Sequence, residues 1–270
     1  MLTSKKIGFI GGGAMAEAII KGLVNSGLSQ PANIIVSDVA VSRLEYLVDK
    51  LGVSTMSDNS LTAKQSDILF LAVKPQVIKN VLKSLETAVS ESTLVISIAA
   101  GICTAMIEEY FPKSPVIRVM PNTPIAVSAG MSAIALGKNA SKDHSEIAIN
   151  IFSSSGQAIV INEASIDAVT GLSGSGPGYG FLMIDALADA GVKVGLSRQD
   201  AITLAAQSLF GAAKMVLETG EHPAKLRDMV TSPAGTTIAG IHVLEQRGVR
   251  AALIDAVITA TERSAEMGKC

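Results

Sequence analysis

Cysteine is scarce in this 270-residue sequence, which contains only Cys103 and Cys270. Two cysteines exclude a disulfide framework and do not have metal-ligand spacing, so we expect no bound metal and a reducing compartment, the cytoplasm. Runs of lysine or arginine are also missing, and the formal net charge is −2. We therefore expect neither a nucleic-acid partner nor binding to an acidic membrane, and small-molecule chemistry is favoured.

A secretory leader and a membrane span are not expected either. The segment MLTSKKIGFI passes from two lysines directly into a strand-like run, which leaves no room for the apolar region of a signal peptide. The longest uncharged stretch, VMPNTPIAVSAGMSAIALG, is interrupted by two prolines and an asparagine. These residues make it a poor membrane helix.

The first 160 residues do contain a regular alternation of short apolar runs and helical patterns. The runs KIGFIG, NIIVSD, SDILFLAVKP, TLVISIAAG and PVIRVM are almost continuously hydrophobic, as strands covered on both faces must be. Segments with apolar residues three and four apart separate them, so the pattern predicts a series of β-α-β units. Two further strands, GMSAIALG and GQAIVI, are predicted on either side of a helix around residues 142–153.

After about residue 163 only helical periodicity is found. The change of hydrophobic period marks the boundary, because no flexible linker separates the halves. The sequence thus predicts an α/β fold with two domains: an N-terminal dinucleotide-binding domain, residues 1–163, followed by an all-helical domain, residues 164–270.

The stretch GFIGGGAMAEA has glycines at the spacing of the dinucleotide fingerprint, directly after the first predicted strand. Gly11 permits the tight turn, Gly13 lets the backbone approach a pyrophosphate, and Ala16 permits close packing of helix on strand. The helix start then presents free N–H groups to the phosphates. We interpret the first domain as Rossmann-like; the alternative is a glycine turn with a purely structural role.

Other functional candidates follow the predicted strands, because ligands bind beyond the carboxyl ends of parallel strands. Asp38 ends the second strand, where an acidic side chain hydrogen-bonds an adenosine ribose; a helix-capping or turn role is the alternative. Arg43 lies on the next helix and is expected to be solvated. Lys74 ends another strand, where a lysine is more often solvated than catalytic.

Two glycine-containing segments stand before helices in the second half. In LSGSGPGYG, each glycine within a helix costs about 1 kcal/mol relative to alanine, so Gly174, Gly176, Gly178 and Gly180 must serve something besides secondary structure. In TSPAGTT, backbone N–H groups and hydroxyls converge at a helix start and would hold a small carboxylate. Ordinary capping by Ser232 or Thr236 is the alternative.

Motifs of other enzyme classes are missing from the sequence. It has no nucleophile elbow and no phosphate-binding glycine–lysine loop, which argues against a hydrolase or an ATPase. A dinucleotide site with few ionisable helpers suggests hydride transfer, because the cofactor carries the difficult chemistry.

Several of these segments together resemble pyrroline-5-carboxylate reductase. The motifs are DAVTGLSGSGPGYGFLMIDALADAGVKVGL and LRDMVTSPAGTTIAGIHVLE, with AVKP, SIAAG and MPNTP, and the likeness covers essentially the whole chain. The first two are highly specific, whereas the N-terminal fingerprint is shared by many dehydrogenases. Two departures exchange small residues: Gly178 stands where the family has alanine in GPAY, and Ala234 stands where it has glycine in SPGG.

The resemblance implies that the cyclic imine 1-pyrroline-5-carboxylate is reduced to L-proline, the last step of proline biosynthesis, by hydride from NADPH or NADH. It also implies a homodimer, alone or within a larger homo-oligomer, with interlocked helical domains and substrate near the dimer interface. The implied cofactor contacts are Gly11, Gly12, Gly13, Ala14, Met15, Asp38, Asn59, Ala72, Val73, Lys74, Pro75, Ala99, Ala100, Gly101 and Asn122. The implied substrate contacts are Ser175, Gly176, Val230, Ser232, Gly235, Thr236 and Thr237. The Thr237 hydroxyl, approaching the ring nitrogen, is the expected catalytic group.

Two other functions share part of this pattern. A β-hydroxyacid dehydrogenase would have the same architecture but should carry a lysine in the first long helix of its substrate domain, and GSGPGYGFLMIDALADAG has none. A nonenzymatic dinucleotide sensor would need the fingerprint without a substrate site, and the segment TSPAGTT argues against that function.

Overall fold

An eight-stranded sheet organises the N-terminal part of the chain in a computed structural model that describes residues 2–268. Its strands are β1 (Ile7–Ile10), β2 (Ile34–Ser37), β3 (Ser54–Met56), β4 (Ile68–Leu71), β5 (Leu94–Ser97), β6 (Val116–Pro121), β7 (Gly130–Leu136) and β8 (Gly156–Val160).

Helices separate most of the strands and form most of the described chain after β8. The α-helices are α1 (Ala14–Asn25), α2 (Val41–Leu51), α3 (Asn59–Lys64), α4 (Pro75–Leu85), α5 (Thr104–Tyr110), α6 (Lys142–Ser153), α7 (Ile166–Val169), α8 (Gly176–Lys193), α9 (Arg198–Thr219), α10 (Pro223–Met229), α11 (Thr236–Gln246) and α12 (Val249–Met267). Short 3-10 turns cover Leu2–Ser4, Pro31–Asn33, Thr123–Val127 and Glu163–Ser165, and a π-helical turn covers Thr170–Gly174.

The sheet has the strand order β3-β2-β1-β4-β5-β6-β7-β8. The pairs from β3 to β6 are parallel, and Ile7 of β1 lies beside both Ile34 of β2 and Ile68 of β4. β7 runs antiparallel to β6, and β8 runs parallel to β7. The order in which successive strands are added to the sheet reverses between β1 and β4, and a doubly wound sheet of the Rossmann type binds nucleotides at such a switch point. The predicted α/β fold with a Rossmann-like N-terminal half is confirmed.

Helices cover both faces of this sheet, which explains why its strands are hydrophobic throughout. On one face, the rings of Phe9 and Phe70 stack with 4.5 Å between centroids, and Phe152 of α6 lies 6.3 Å from Phe70. On the other, Leu69 packs in a buried cluster with Ile78 of α4. Burying each such side chain contributes about 1.5–3 kcal/mol, so the sheet and its helices form a self-sufficient core.

The predicted alternation of strands and helices is confirmed, including β7, α6 and β8. The sequence pattern indicates neither β3 nor α3. β3 is a three-residue edge strand without a fully buried side chain, and α3 has six residues, so neither is long enough to show a hydrophobic period.

The chain forms two compact units, one from the residues up to Gly174 together with those from Ala260 onward, and one from Ser175–Thr259. The second unit contains α8 to α11 and the first part of α12. α8 and α9 pack closely, because a Cβ atom at Gly191 would lie 2.8 Å from the Cβ atom of Ala201.

The second unit has almost no apolar core of its own. Its buried apolar residues are Ala188, Ala201 and Ala205. Its large apolar side chains are instead exposed, among them Phe181 (64%), Leu182 (70%), Phe210 (57%) and Leu217 (76%). Exposed apolar surface on this scale marks an interaction surface, since these helices gain little hydrophobic stabilisation within one chain.

Two kinds of feature are missing from residues 2–268. No helix there is long and apolar enough to cross a membrane. No group of three or more histidine, cysteine, aspartate or glutamate side chains in the same range is arranged to hold a metal ion.

We expect the protein to be an obligate oligomer in which helices of the second unit are covered by another copy of the chain. At micromolar concentration, sedimentation velocity should show twice the chain mass of 27.8 kDa or a multiple of it. Because association and folding are linked, dilution should lower the free energy of unfolding. The isolated segment 164–270 should also self-associate. A well-folded monomer at micromolar concentration would contradict this expectation.

Candidate functional site

A glycine turn joins β1 to α1 at the carboxyl edge of the sheet. Gly11 has φ = +98°, and a Cβ atom there would lie 2.6 Å from the Ala72 carbonyl oxygen, so only glycine fits. The Gly11 N–H donates to the Ser37 carbonyl oxygen at 2.7 Å. These contacts draw the ends of β1, β2 and β4 together around the turn.

The N-terminus of α1 has room for a ligand. Gly13 is the N-cap residue and no side chain caps the helix. A Cβ atom at Gly13 would meet no atom within 4 Å, so the space before Ala14 and Met15 is open. The first N–H groups of a helix have no partner within it, and together with the helix dipole they attract anions. The turn therefore fits the pyrophosphate of a dinucleotide.

Two side chains from the β2–α2 segment hold this turn at Gly12. Asp38 accepts the Gly12 N–H through Oδ2 at 2.7 Å and the Ala40 N–H through Oδ1 at 2.9 Å. Arg43 of α2 donates from Nε to the Gly12 carbonyl oxygen at 2.5 Å. The expectation that Arg43 is solvated is wrong, because its side chain is only 25% exposed and is bound to the turn.

Arg43 also belongs to an ionic cluster with Glu17 of α1. Arg43 Nη2 lies 2.5 Å from Glu17 Oε2, and Lys21 Nζ lies 2.6 Å from Glu17 Oε1. The Tyr46 hydroxyl donates to the same carboxylate at 3.3 Å. Burial raises the pKa of Glu17, but hydrogen bonds from Lys21 and Arg43 outweigh burial and lower the pKa below its ordinary value. Sequence reasoning missed this cluster, for which the only local signal is the helical spacing of Glu17 and Lys21.

The other predicted cofactor contacts of the strand ends lie along the same edge of the sheet. Asn59 opens α3 and accepts the Ser37 hydroxyl at 2.7 Å. Lys74 is exposed and precedes Pro75, which begins α4. Gly101 follows β5 with φ = +72°. The parallel sheet thus brings together Gly11–Gly13, Asp38, Asn59, residues 72–75 and residues 99–101.

Asn122, another predicted cofactor contact, has both ends of its amide engaged within the protein. Oδ1 accepts the Met131 N–H at 2.8 Å, and Nδ2 donates to the Ser173 carbonyl oxygen at 3.0 Å. Asn122 thereby ties the end of β6 to the π-helical turn Thr170–Gly174, a type of distortion that is frequent at functional sites. Within residues 2–268, the buried Ser173 hydroxyl has no hydrogen-bond partner.

The glycines of LSGSGPGYG have two different roles. A Cβ atom at Gly174 would lie 2.7 Å from Met120 Cε, the end of a flexible side chain, so this glycine packs closely against the methionine within the chain. At Gly176, Gly178 and Gly180 a Cβ atom would meet nothing within 4 Å. A tight helix crossing within one chain therefore does not explain them, and they leave space for a ligand or for another subunit.

The segment TSPAGTT forms a tight turn before α11. The Gly235 N–H donates to the Ser232 carbonyl oxygen at 3.0 Å, and a Cβ atom at Gly235 would collide with the Ser232 hydroxyl. Ala234 has φ = +56°, a left-handed conformation that costs a non-glycine residue about 1–2 kcal/mol. The departure of this chain from the SPGG pattern thus falls at the position where glycine is sterically preferred.

No side chain caps α11, whose N-cap residue is Gly235. The hydroxyl groups of Ser232, Thr236 and Thr237 make no hydrogen bond to any described residue. Capping by Ser232 or Thr236 therefore does not account for this segment. Free N–H groups and hydroxyls at the start of a helix are suited to a carboxylate.

Comparison with protein families gives two matches within the chain. The family described as pyrroline-5-carboxylate reductase dimerisation matches residues 163–267. The family described as NADP oxidoreductase coenzyme F420-dependent matches residues 6–101. The first match covers the helical half, and the second covers the glycine turn and strands β1 to β5.

Individual proteins resemble the chain over its whole length. The pyrroline-5-carboxylate reductase of Methanosarcina acetivorans is 50% identical over 99% of this chain and 100% of its own length. The structure of the pyrroline-5-carboxylate reductase of Coxiella burnetii has a TM-score of 0.93 and 39% identity over 99% of this chain and 100% of that one. A Plasmodium falciparum pyrroline carboxylate reductase with NADP bound has a TM-score of 0.89 and 32% identity, covering 100% of both chains.

We expect Ala234→Gly to stabilise the protein by about 0.5–1 kcal/mol, because relief of the left-handed strain exceeds the added entropy of glycine in the unfolded chain. The matched control is Ala239→Gly, inside α11, which should cost about 1 kcal/mol. Denaturant unfolding of both variants at one protein concentration measures the difference. Equal destabilisation by the two substitutions would show that position 234 is not strained.

Proposed function

Because the chain belongs to the pyrroline-5-carboxylate reductase family of oxidoreductases, which reduce 1-pyrroline-5-carboxylate to L-proline, we propose which of its residues bind the cofactor and which bind the substrate. The observation that carries the proposal is a glycine N-cap, without a side-chain cap, at two helix starts: Gly13 before α1, in the glycine turn, and Gly235 before α11, in TSPAGTT. The reaction needs two anion sites, one for a dinucleotide pyrophosphate and one for a small carboxylate.

The cofactor side of the site comprises the glycine turn and the strand ends beside it. The N–H groups of Gly13, Ala14 and Met15 bind the pyrophosphate, and Asp38 accepts a ribose hydroxyl. The remaining cofactor contacts are Gly11, Gly12, Asn59, Ala72, Val73, Lys74, Pro75, Ala99, Ala100 and Gly101. Asn122 acts indirectly, since its amide already holds the turn at Ser173.

The substrate side comprises the start of α11 and the start of α8. The Gly235 and Thr236 backbone and the Ser232 hydroxyl bind the carboxylate, with Val230, Ser175 and Gly176 completing the contacts. The Thr237 hydroxyl hydrogen-bonds the ring nitrogen. A positioned substrate accounts for much of the rate enhancement, because a protonated imine is already electrophilic.

When bound, the reduced nicotinamide supplies the hydride that adds to the imine carbon, and the C=N electron pair passes to the ring nitrogen. The residues of the chain hold the imine and keep the nitrogen hydrogen-bonded while its charge changes. Thr237 is the catalytic residue of this proposal because its hydroxyl touches that nitrogen.

NADH is the better cofactor in this proposal, although NADPH is also used. An ionised carboxylate at the ribose accepts a hydrogen bond from a 2′-hydroxyl and repels a 2′-phosphate. Asp38 is held in this place by the Gly12 and Ala40 N–H groups. The NADP-bound relative shows only that the family accommodates the phosphorylated cofactor.

The proposed functions fall in two consecutive parts of the sequence. We assign nucleotide binding to residues 1–163 and substrate binding and dimerisation to residues 164–270, supported by the end of β8 at Val160 and the family match from residue 163. The assembly is a homodimer, or a larger homo-oligomer built from it, because the second unit exposes most of its large apolar side chains. We place this reaction in the cytoplasm, in keeping with the expectation from cysteine content.

Asp38→Ser should raise the ratio of kcat/KM for NADPH to that for NADH about tenfold, because it removes a carboxylate that repels the 2′-phosphate. Both absolute values should fall, since Gly12 also loses an acceptor. Asp58→Ser is the control: Asp58 caps α3 through the Ser60 and Leu61 N–H groups, and its replacement should leave the ratio unchanged. An unmoved ratio in Asp38→Ser would show that Asp38 does not contact the ribose.

Thr237→Ala should lower kcat/KM for the imine about ten- to a hundredfold, the equivalent of a lost hydrogen bond of about 1.5–3 kcal/mol to a charged partner. Affinity for the dinucleotide and thermal stability should scarcely change, because the Thr237 hydroxyl makes no hydrogen bond to a described residue. Thr237→Ser keeps the hydroxyl and should retain most activity. Unchanged kinetics with lowered stability in Thr237→Ala would limit the residue to a structural role.

A further inference from the structure

We propose that Glu17 is a positioning residue that sets cofactor preference by holding Arg43 on the glycine turn and away from the 2′-phosphate of NADPH. The inference rests on the cofactor site proposed above. It explains a conflict within that site, where an aspartate that favours NADH and an arginine suited to NADPH lie beside the same glycine.

Arginine near the end of the second strand is the residue type that accommodates a 2′-phosphate in nucleotide-binding folds of this kind. Arg43 is in that neighbourhood, because its Nε donates to the Gly12 carbonyl oxygen while Asp38 accepts the Gly12 N–H. A guanidinium released from its present partners would therefore be available to the phosphorylated ribose. In this structure the Arg43 guanidinium is held by other partners.

The contacts of Arg43 use the guanidinium on several sides. Nε binds the Gly12 carbonyl oxygen, and Nη2 lies 3.4 Å from the Gly13 carbonyl oxygen. Nη2 also pairs with Glu17 Oε2 at 2.5 Å. The guanidinium carbon lies 4.8 Å from the centroid of the Tyr46 ring, within the range of a cation–π contact.

Glu17 is the charged member that holds this arrangement. Its side chain is only 14% exposed, so its pair with Arg43 is less screened than an ordinary surface ion pair. Lys21 and Tyr46 orient the same carboxylate through its Oε1 atom, leaving Oε2 for Arg43. A 2′-phosphate has to compete with this fixed carboxylate for the guanidinium, whereas a 2′-hydroxyl does not.

The test uses Glu17→Gln, which keeps the size of the side chain and removes its charge. The affinities for ADP-ribose and for its 2′-phosphorylated form are measured by calorimetry, and kcat/KM is measured with NADH and NADPH. Both ratios should shift toward the phosphorylated form by about three- to tenfold. Lys21→Ala, which removes another partner of the same carboxylate, should shift neither ratio by more than about twofold.

Arg43→Ala provides a second test that does not depend on Glu17→Gln folding well. It should weaken both nucleotides by a similar factor, because Arg43 supports the turn and does not bind the 2′-phosphate in the native protein. In the double variant the preference for NADPH over NADH should equal that of Arg43→Ala alone. The shift expected in Glu17→Gln requires the released Arg43 guanidinium, which the double variant lacks.

Three results would overturn the inference. A selective loss of NADPH in Arg43→Ala would show that the guanidinium already binds the 2′-phosphate. Unchanged ratios in Glu17→Gln with intact binding of both nucleotides would show that Glu17 serves stability only. Failure of the native protein to bind either nucleotide would overturn the cofactor site itself, and the inference with it.

Discussion

The absence of a core in the helical half is the constraint on which the rest of the protein depends. Between Ser175 and Thr259 the buried apolar residues are three alanines, while side chains as large as Phe181 and Phe210 are exposed. Helices of this kind gain their stability by covering one another across subunits. Gly176, Gly178 and Gly180 at the start of α8 fit the same explanation, because a Cβ atom at each would meet no atom of the chain within 4 Å. Folding and assembly are therefore coupled.

The N-terminal half differs, because it has a buried apolar core of its own and its constraint is electrostatic. The glycine turn must present N–H groups to a phosphate while its other polar groups stay satisfied. Asp38 and Arg43 satisfy the N–H and C=O groups of Gly12, so the turn is held before any ligand arrives. In the proposed cofactor site, the same two side chains have opposite preferences for the charge at the ribose 2′ position. By our proposal, cofactor preference then depends on whether Glu17 holds Arg43 on the glycine turn.

Long periodic elements could be predicted from the sequence, and short or tertiary features could not. The strands β1, β2 and β4 to β8 were predictable because burial on both faces leaves continuous apolar runs, whereas β3 is too short to leave one. The turns before α1 and α11 could be predicted from motifs whose chemistry is local, and the binding roles of their residues stay predictions. The contacts of Arg43 could not be predicted from the sequence, because its partners Gly12 and Glu17 lie on other elements. The positive φ angle of Ala234 was also invisible, since alanine itself predicts the opposite.

The central claim of the proposed function is that hydride passes directly from the reduced nicotinamide to the imine carbon of 1-pyrroline-5-carboxylate. Incubation of the protein with 1-pyrroline-5-carboxylate and NADH carrying deuterium at the transferable position of the nicotinamide tests it most directly. We expect L-proline with one deuterium, on the ring carbon that lies across the nitrogen from the carboxylate-bearing carbon, in step with cofactor consumed. Proline without deuterium, or cofactor oxidation that forms no proline, would contradict the account.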